Sequence, residues 1–146
     1  YCAKIAKLLP DMPVQCAKTD MIMEQTNDIY TLMAKCKYAG DDDAQENAWF
    51  EFKEKKLHEK LIPLNDLLKD KFYGGMVPDA ADICVFSIIN LVVRSGIKDC
   101  LMNYKKLYDH YTNVYLIGNI KDYIKNKPEI YFVYKEKKSK LLLSTN

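Results

Sequence analysis

The chain has 146 residues, enough for one domain with a single core and too few for two domains of ordinary size. Its 22 basic and 20 acidic residues leave a net charge of +2, and Arg94 is its single arginine, which argues against nucleic acid as a main partner. A hydrophobic fraction of 49% with 29% charged residues is that of a packed globular protein. The longest apolar run, residues 83–93, falls far short of the ~20 residues that span a bilayer and reads as a core helix.

The chain opens on Tyr1 without a methionine, a basic start or a cleavable apolar segment, so its first residues read as the continuation of a longer polypeptide. Cys2, Ile5, Leu8 and Leu9 have the spacing of one helical face over residues 1–9, which Pro10 and Pro13 then stop. Pro13 suits the first turn of the next helix, where Val14, Ala17, Met21, Ile29, Leu32, Met33 and Cys36 keep an approximate 3.6 period as far as Tyr38. Asp20 and Asp28 are two acids of this helix able to face inward. Ala39-Gly40-Asp41-Asp42 is a turn, and Asp43 with Glu46 has the form of a capping box opening a helix that carries Trp49, Phe52, Leu57 and Leu61. Pro63 is expected to end or kink that helix, with Leu64, Leu67, Leu68 and Phe72 continuing a shorter apolar face up to Gly74-Gly75.

Asp79 caps the most apolar helix, which runs from Ile83 to Val93 with apolar residues around nearly its whole circumference and is therefore expected to be surrounded by others. Ser95-Gly96 closes it. Leu101, Tyr104, Leu107, Tyr108, Tyr111 and Tyr115 form a tyrosine-rich stripe on the following helix, and Gly118-Asn119 opens a last short one through Ile120, Tyr123 and Ile124, closed by Pro128. Period-two alternation appears only at residues 130–134. The expected fold is all-α, with about six helices. Cys2, Cys16, Cys36, Cys84 and Cys100 are widely spaced, odd in number and without a C-x-x-C pair, so buried, reduced thiols of a cytoplasmic protein are expected.

The stretch Tyr73-Gly74-Gly75-Met76-Val77-Pro78-Asp79-Ala80-Ala81-Asp82-Ile83 resembles the most diagnostic segment of the cytosolic glutathione S-transferases, a glycine turn followed by Ser/Thr-x-Ala-Asp and a buried helix. A helix that starts inside a core has free N–H groups that water cannot reach, and Asp79, in place of the usual Ser/Thr, and Asp82 are the acceptors. The resemblance continues through Tyr104-Lys105-Lys106-Leu107, His110, Val114, Ile120, Tyr123-Ile124 and Pro128, with Lys105 where the family has proline. Upstream, Tyr1-Cys2-Ala3 resembles the end of the family's thioredoxin-like half. The resemblance thus divides the chain into residues 1–9, the end of the last helix of that half; residues 10–128, a glutathione-transferase C-terminal-like helical bundle; and residues 129–146, a basic and apolar tail.

In that family the thioredoxin-like half binds glutathione, as co-substrate, and stabilises its thiolate; beyond residues 1–9 this sequence is expected to carry none of that half, and no catalytic residue. What the resemblance implies for this chain is a homodimer whose helical domain holds small apolar electrophiles. Gln15-Cys16-Ala17-Lys18-Thr19-Asp20 aligns with the stretch whose Asp reaches the glutathione of the other subunit, which assigns that contact to Asp20. Ten residues on, Tyr30 falls where several classes place an aromatic in the electrophile pocket, with Met23, Thr26, Asn27 and Met33 within two turns. A second reading is a non-catalytic assembly module of the same helical type, as in translation factors and synthetase complexes. His58 and His110 have no third ligand at metal spacing, and no metal is expected. The run Lys135 to Lys140 before Leu141-Leu142-Leu143 reads as a solvated tail or a helix packing back on the pocket.

Overall fold

The computed structural model describes residues 2–97 and 99–127, and of Cys100 only the backbone. Pro128, the alternation at 130–134 and the tail at 129–146 lie outside the described residues. Those described are all-α. A single turn, α1 (Cys2–Ile5), precedes six helices of nine residues or more: α2 (Pro13–Lys37), α3 (Asp42–Glu51), α4 (Leu57–Leu67), α5 (Ala80–Arg94), α6 (Lys105–Tyr115) and α7 (Gly118–Asn126). A π turn at Phe52–Lys56 joins α3 to α4, and a short 3-10 turn at Asp99–Asn103 leads into α6. No helix among the described residues is long and apolar enough to cross a membrane.

The helix expected over residues 1–9 is cut short. Lys7 adopts a positive φ of 55°, which ends the helical path, and Ile5 is left 66% exposed. Cys2 is exposed as well, Cys16 and Cys84 are half-buried, and only Cys36 of the described thiols is fully enclosed, donating to the Ala48 carbonyl at 3.3 Å. All four are unbridged.

Pro13 stands at the first position of α2 as its fixed φ allows. The buried face of α2 is Thr19, Ile22, Thr26, Ile29, Met33 and Cys36, a regular alternation of three and four residues. In the N-terminal half this differs from the apolar pattern: Val14 and Met21 point to solvent, and two threonines take the inward positions. Asp20 and Asp28 also face outward, Asp28 pairing with Lys60 at 2.7 Å. The cap of α3 is Asp41, whose side chain accepts from the Ala44 N–H at 2.9 Å, so the helix starts ahead of the expected Asp43 box.

Pro63 neither ends nor interrupts its helix; it lies inside α4. Proline has no N–H to offer the carbonyl of Glu59, one turn before it, and Glu59 is an exposed residue. The interruption falls earlier, at the π turn, where the Leu57 N–H bonds back to the Phe52 carbonyl. The apolar spacing demands it. Trp49 and Phe52 stack at 5.3 Å on one phase, and Leu57, Leu61 and Leu64 are buried on the next, a gap of five residues that only a turn of that width keeps on one face.

Helix α5 lies along α2 and against α6 as the centre of the bundle. Its Val85, Ile88, Ile89 and Val92 join Ile29, Met33, Phe52, Leu57, Leu61, Leu64 and Leu107 in the main core. A second cluster gathers Phe72, Phe86 and Val114 under Ile120 and Ile124 of α7.

The start of α5 is inside this core, and each of its first donors is met. Asp79 Oδ1 accepts from the N–H groups of Ala81 and Asp82, and Asp82 Oδ2 accepts from the Asp79 N–H at 2.8 Å, completing the capping box. The Ala80 N–H goes to the Leu8 carbonyl at 2.9 Å. The box then recruits its neighbours: the Thr19 hydroxyl donates to Asp79 Oδ2 at 2.8 Å, and the Tyr73 N–H donates to Asp82 Oδ1 at 2.9 Å. His110 of α6, itself fully enclosed, donates from Nε2 to the same Asp82 oxygen at 2.7 Å. Gly74 lies so close that a Cβ there would sit 2.8 Å from the Val77 carbonyl oxygen, and Gly75 has a φ of 99°; this turn needs both glycines.

Burial alone would raise the Asp82 carboxyl, but the hydrogen bond from His110, with those from the Asp79 and Tyr73 N–H groups, holds it below the usual carboxylate range. A carboxyl depressed on folding contributes stability at neutral pH that is lost as the pH falls through its folded value. Asp79 has the opposite sign. Its burial outweighs the bonds from Thr19 and the backbone and lifts its carboxyl, so ionising it costs stability as the pH rises through that raised value. Replacing Asp82 by Asn is expected to cost about 3 kcal/mol near neutral pH, because it breaks a buried charged network. Urea unfolding from about pH 3 to 7 should show the acid limb flattened in Asp82→Asn relative to the parent.

Candidate functional site

The helices α2 and α5 run side by side from the Thr19–Asp79 bond onward, and both line a cavity of about 400 Å3. From α2 it receives Thr26, Asn27 and Tyr30, one helical face. From α5 it receives Cys84, Ser87, Leu91 and Arg94, again at the three-and-four spacing of one face, with Ile88 and Asn90 beside them. Lys127, just beyond α7, joins the lining. The size is within the range of small-molecule sites, and the walls combine apolar and aromatic groups with a few fixed polar ones.

Tyr30 is 44% exposed, so its ring is partly available from the cavity. Thr26 is buried and its hydroxyl donates to the Met23 carbonyl at 2.7 Å, which presents its methyl group rather than a free donor. Asn90 is held by Tyr111, whose hydroxyl donates to its Oδ1 at 3.2 Å while the Tyr111 ring stacks on Phe86. Of the five residues assigned to a pocket from the sequence, the structure brings three to the cavity. Met33 packs instead into the core beside Ile29, and Met23 is half-buried away from the lining. Asp20 is exposed on α2 next to the anchored Thr19 and lies outside this cavity.

No His, Asp or Glu lines the cavity among the described residues. Its one thiol, Cys84, is raised by burial and then by the charge of Asp79, so it stays protonated at neutral pH and is a poor nucleophile. His110 is committed to Asp82, and His58 pairs through Nδ1 with the Tyr104 hydroxyl at 2.8 Å. The described residues contain no group of three or more His, Cys, Asp or Glu side chains placed to hold a metal ion. Chemically, the arrangement can enclose and orient a guest.

Sequence reasoning passed over the contribution of α5. Cys84, Ser87 and Arg94 are polar residues of a mostly apolar helix that fall on one face, a signal that was present in the spacing. His110 was similarly legible: with Leu107 and Val114 it sits on the buried stripe of α6, where a histidine needs a partner.

A sequence model of the glutathione S-transferase C-terminal domain matches residues 27–127, and the chain belongs to this family. Among solved structures it is similar to rat hPGDS complexed with a quinoline, with a TM-score of 0.74 and 18% sequence identity. That match covers 84% of this chain and 61% of the rat chain, so the chain spans less than two thirds of its structural relative. No curated protein sequence matches it.

The exposed Cys2 and the half-buried Cys84 of the lining give a direct test of the cavity. Cys2 is expected to react with a maleimide at neutral pH at least about tenfold faster than Cys84, whose thiolate is disfavoured. Peptide mass spectrometry of a labelling time course resolves the two sites.

Proposed function

We propose that this domain forms the electrophile-binding wall of a glutathione S-transferase-type protein. The observation that carries the reading is the cavity between α2 and α5 with Tyr30 on its wall, in a chain of the glutathione S-transferase C-terminal family. In this reading a thioredoxin-like half binds glutathione and stabilises its thiolate, and the helical domain holds an apolar electrophile beside it. Its contribution is proximity and exclusion of water. A quinoline is the guest of the rat relative, and a flat aromatic of that kind is the natural probe for the Tyr30 ring.

Asp20 enters the proposal through its exposure. An acid projecting from α2 is free to meet the glutathione amino group of a second subunit, so the protein would act as a cytoplasmic homodimer. The anchored Thr19 fixes the turn that carries it.

The test uses the polypeptide carrying this domain together with its thioredoxin-like half, in steady-state conjugation of 1-chloro-2,4-dinitrobenzene. Tyr30→Ala is expected to raise KM for the electrophile about fivefold, the loss of one aromatic contact, and to leave KM for glutathione unchanged. Asp20→Ala should do the reverse, weakening retention on immobilised glutathione. No retention by the parent, and no conjugation, would refute the transferase reading in favour of an assembly module.

A further inference from the structure

The cavity has an electrostatic asymmetry that its apolar walls do not explain. Arg94 and Lys127 both stand at its lining, and no carboxylate joins them there among the described residues. Arg94 Nη1 is shielded from solvent and has no hydrogen-bond partner among those residues. A buried guanidinium N–H without an acceptor is unfavourable, and native structures leave few such groups unpaired. Lys127 reports the same environment independently: desolvation first, and then the nearby positive charge of Arg94, lower its pKa. Two cations therefore share one end of a partly enclosed space. At the other walls stand Tyr30, Ile88 and Leu91.

Resting on the reading of this cavity as a ligand pocket, we propose that it takes amphipathic carboxylates, with the apolar or aromatic body against Tyr30, Ile88 and Leu91 and the carboxylate on Arg94 and Lys127. The planar guanidinium fork matches a carboxylate in two parallel hydrogen bonds, which a lone ammonium cannot reproduce. Lys127 adds charge without that geometry. Arg94 is thus the specificity-determining group, and Tyr30 contributes to any apolar guest whether it is charged or neutral.

Calorimetric titration of the full chain at about pH 7.5 with 6-phenylhexanoate and with its methyl ester separates the possibilities, since the acid is fully ionised there. The acid is expected to bind about tenfold tighter than the ester. Arg94→Gln should bring the two within about threefold by weakening the acid alone, Arg94→Lys should keep part of the preference, and Tyr30→Ala should weaken both ligands equally. Unchanged far-UV circular dichroism and melting temperature establish that each variant folds.

Equal binding of acid and ester by the parent would overturn the carboxylate assignment while leaving the pocket reading intact. Failure of both ligands to bind would overturn the pocket itself. A preference that survives Arg94→Gln would remove Arg94 from the assignment, and competition by inorganic phosphate as strong as that by the acid would reduce the site to a simple anion site. Acid binding that appears only after residues 129–146 are deleted would make this chain's own tail the occupant and refute the proposal.

Discussion

A helix that begins inside a hydrophobic core brings with it N–H groups that no water can satisfy, and the architecture of this domain follows from how those of α5 are met. Two carboxylates, Asp79 and Asp82, and one carbonyl, that of Leu8, supply the acceptors. Carboxylates in a core must themselves be matched by donors, and the donors come from everywhere around: Thr19 from α2, the Tyr73 backbone from the glycine turn, His110 from α6. One local requirement therefore organises four distant segments. Each carboxyl accepts three hydrogen bonds, and their displacements are opposed because the imidazole of His110 is among the donors to Asp82 alone.

The Thr19–Asp79 bond also governs the cavity. It sets the lengthwise register of α2 against α5, and eleven residues further along each helix, ~16 Å at 1.5 Å per residue, stand Tyr30 and Asn90. Residues that share a wall so far from the anchor do so because two stiff rods are pinned at one end. Asp20, next to the pin, is held on the opposite side of α2 from the core by the same bond. Cavity and exposed acid are two products of one registration.

Much of this was legible in the sequence where a single residue type carries a single physical role. Pro13 opening α2, the Asp79 box, Ser95-Gly96 closing α5 and the run from Ile83 to Val93 as the central helix all stand as read. The all-α class and the family resemblance stand as well. What escaped was every place where a side chain acts against its average. Thr19 and Thr26 face the core because each has its hydroxyl satisfied, while Val14 and Met21 face out. Pro63 is accommodated inside α4 on a stretch where Glu59, one turn before it, is exposed, and Asp41 caps α3 ahead of an equally plausible Asp43. The candidate site was half visible for the same reason: Thr26, Asn27 and Tyr30 follow from spacing on one helix, whereas Arg94 and Lys127 meet them only through the packing of three elements.

The π turn at Phe52–Lys56 has a consequence for how this chain tolerates changes in length. It is one residue wider than an α turn, so loss of any one of Lys53, Glu54, Lys55 or Lys56 would leave an unbroken hydrogen-bond ladder and no local penalty. Leu57, Leu61 and Leu64 would then follow Phe52 at four, eight and eleven residues of an ordinary α-helix and keep to the core face, whereas a loss from the α-helical part on either side would swing everything beyond it by about 100°. The π turn thus holds a spare residue on the surface, and the interior face stays continuous from Trp49 to Leu64 because that residue is absorbed there.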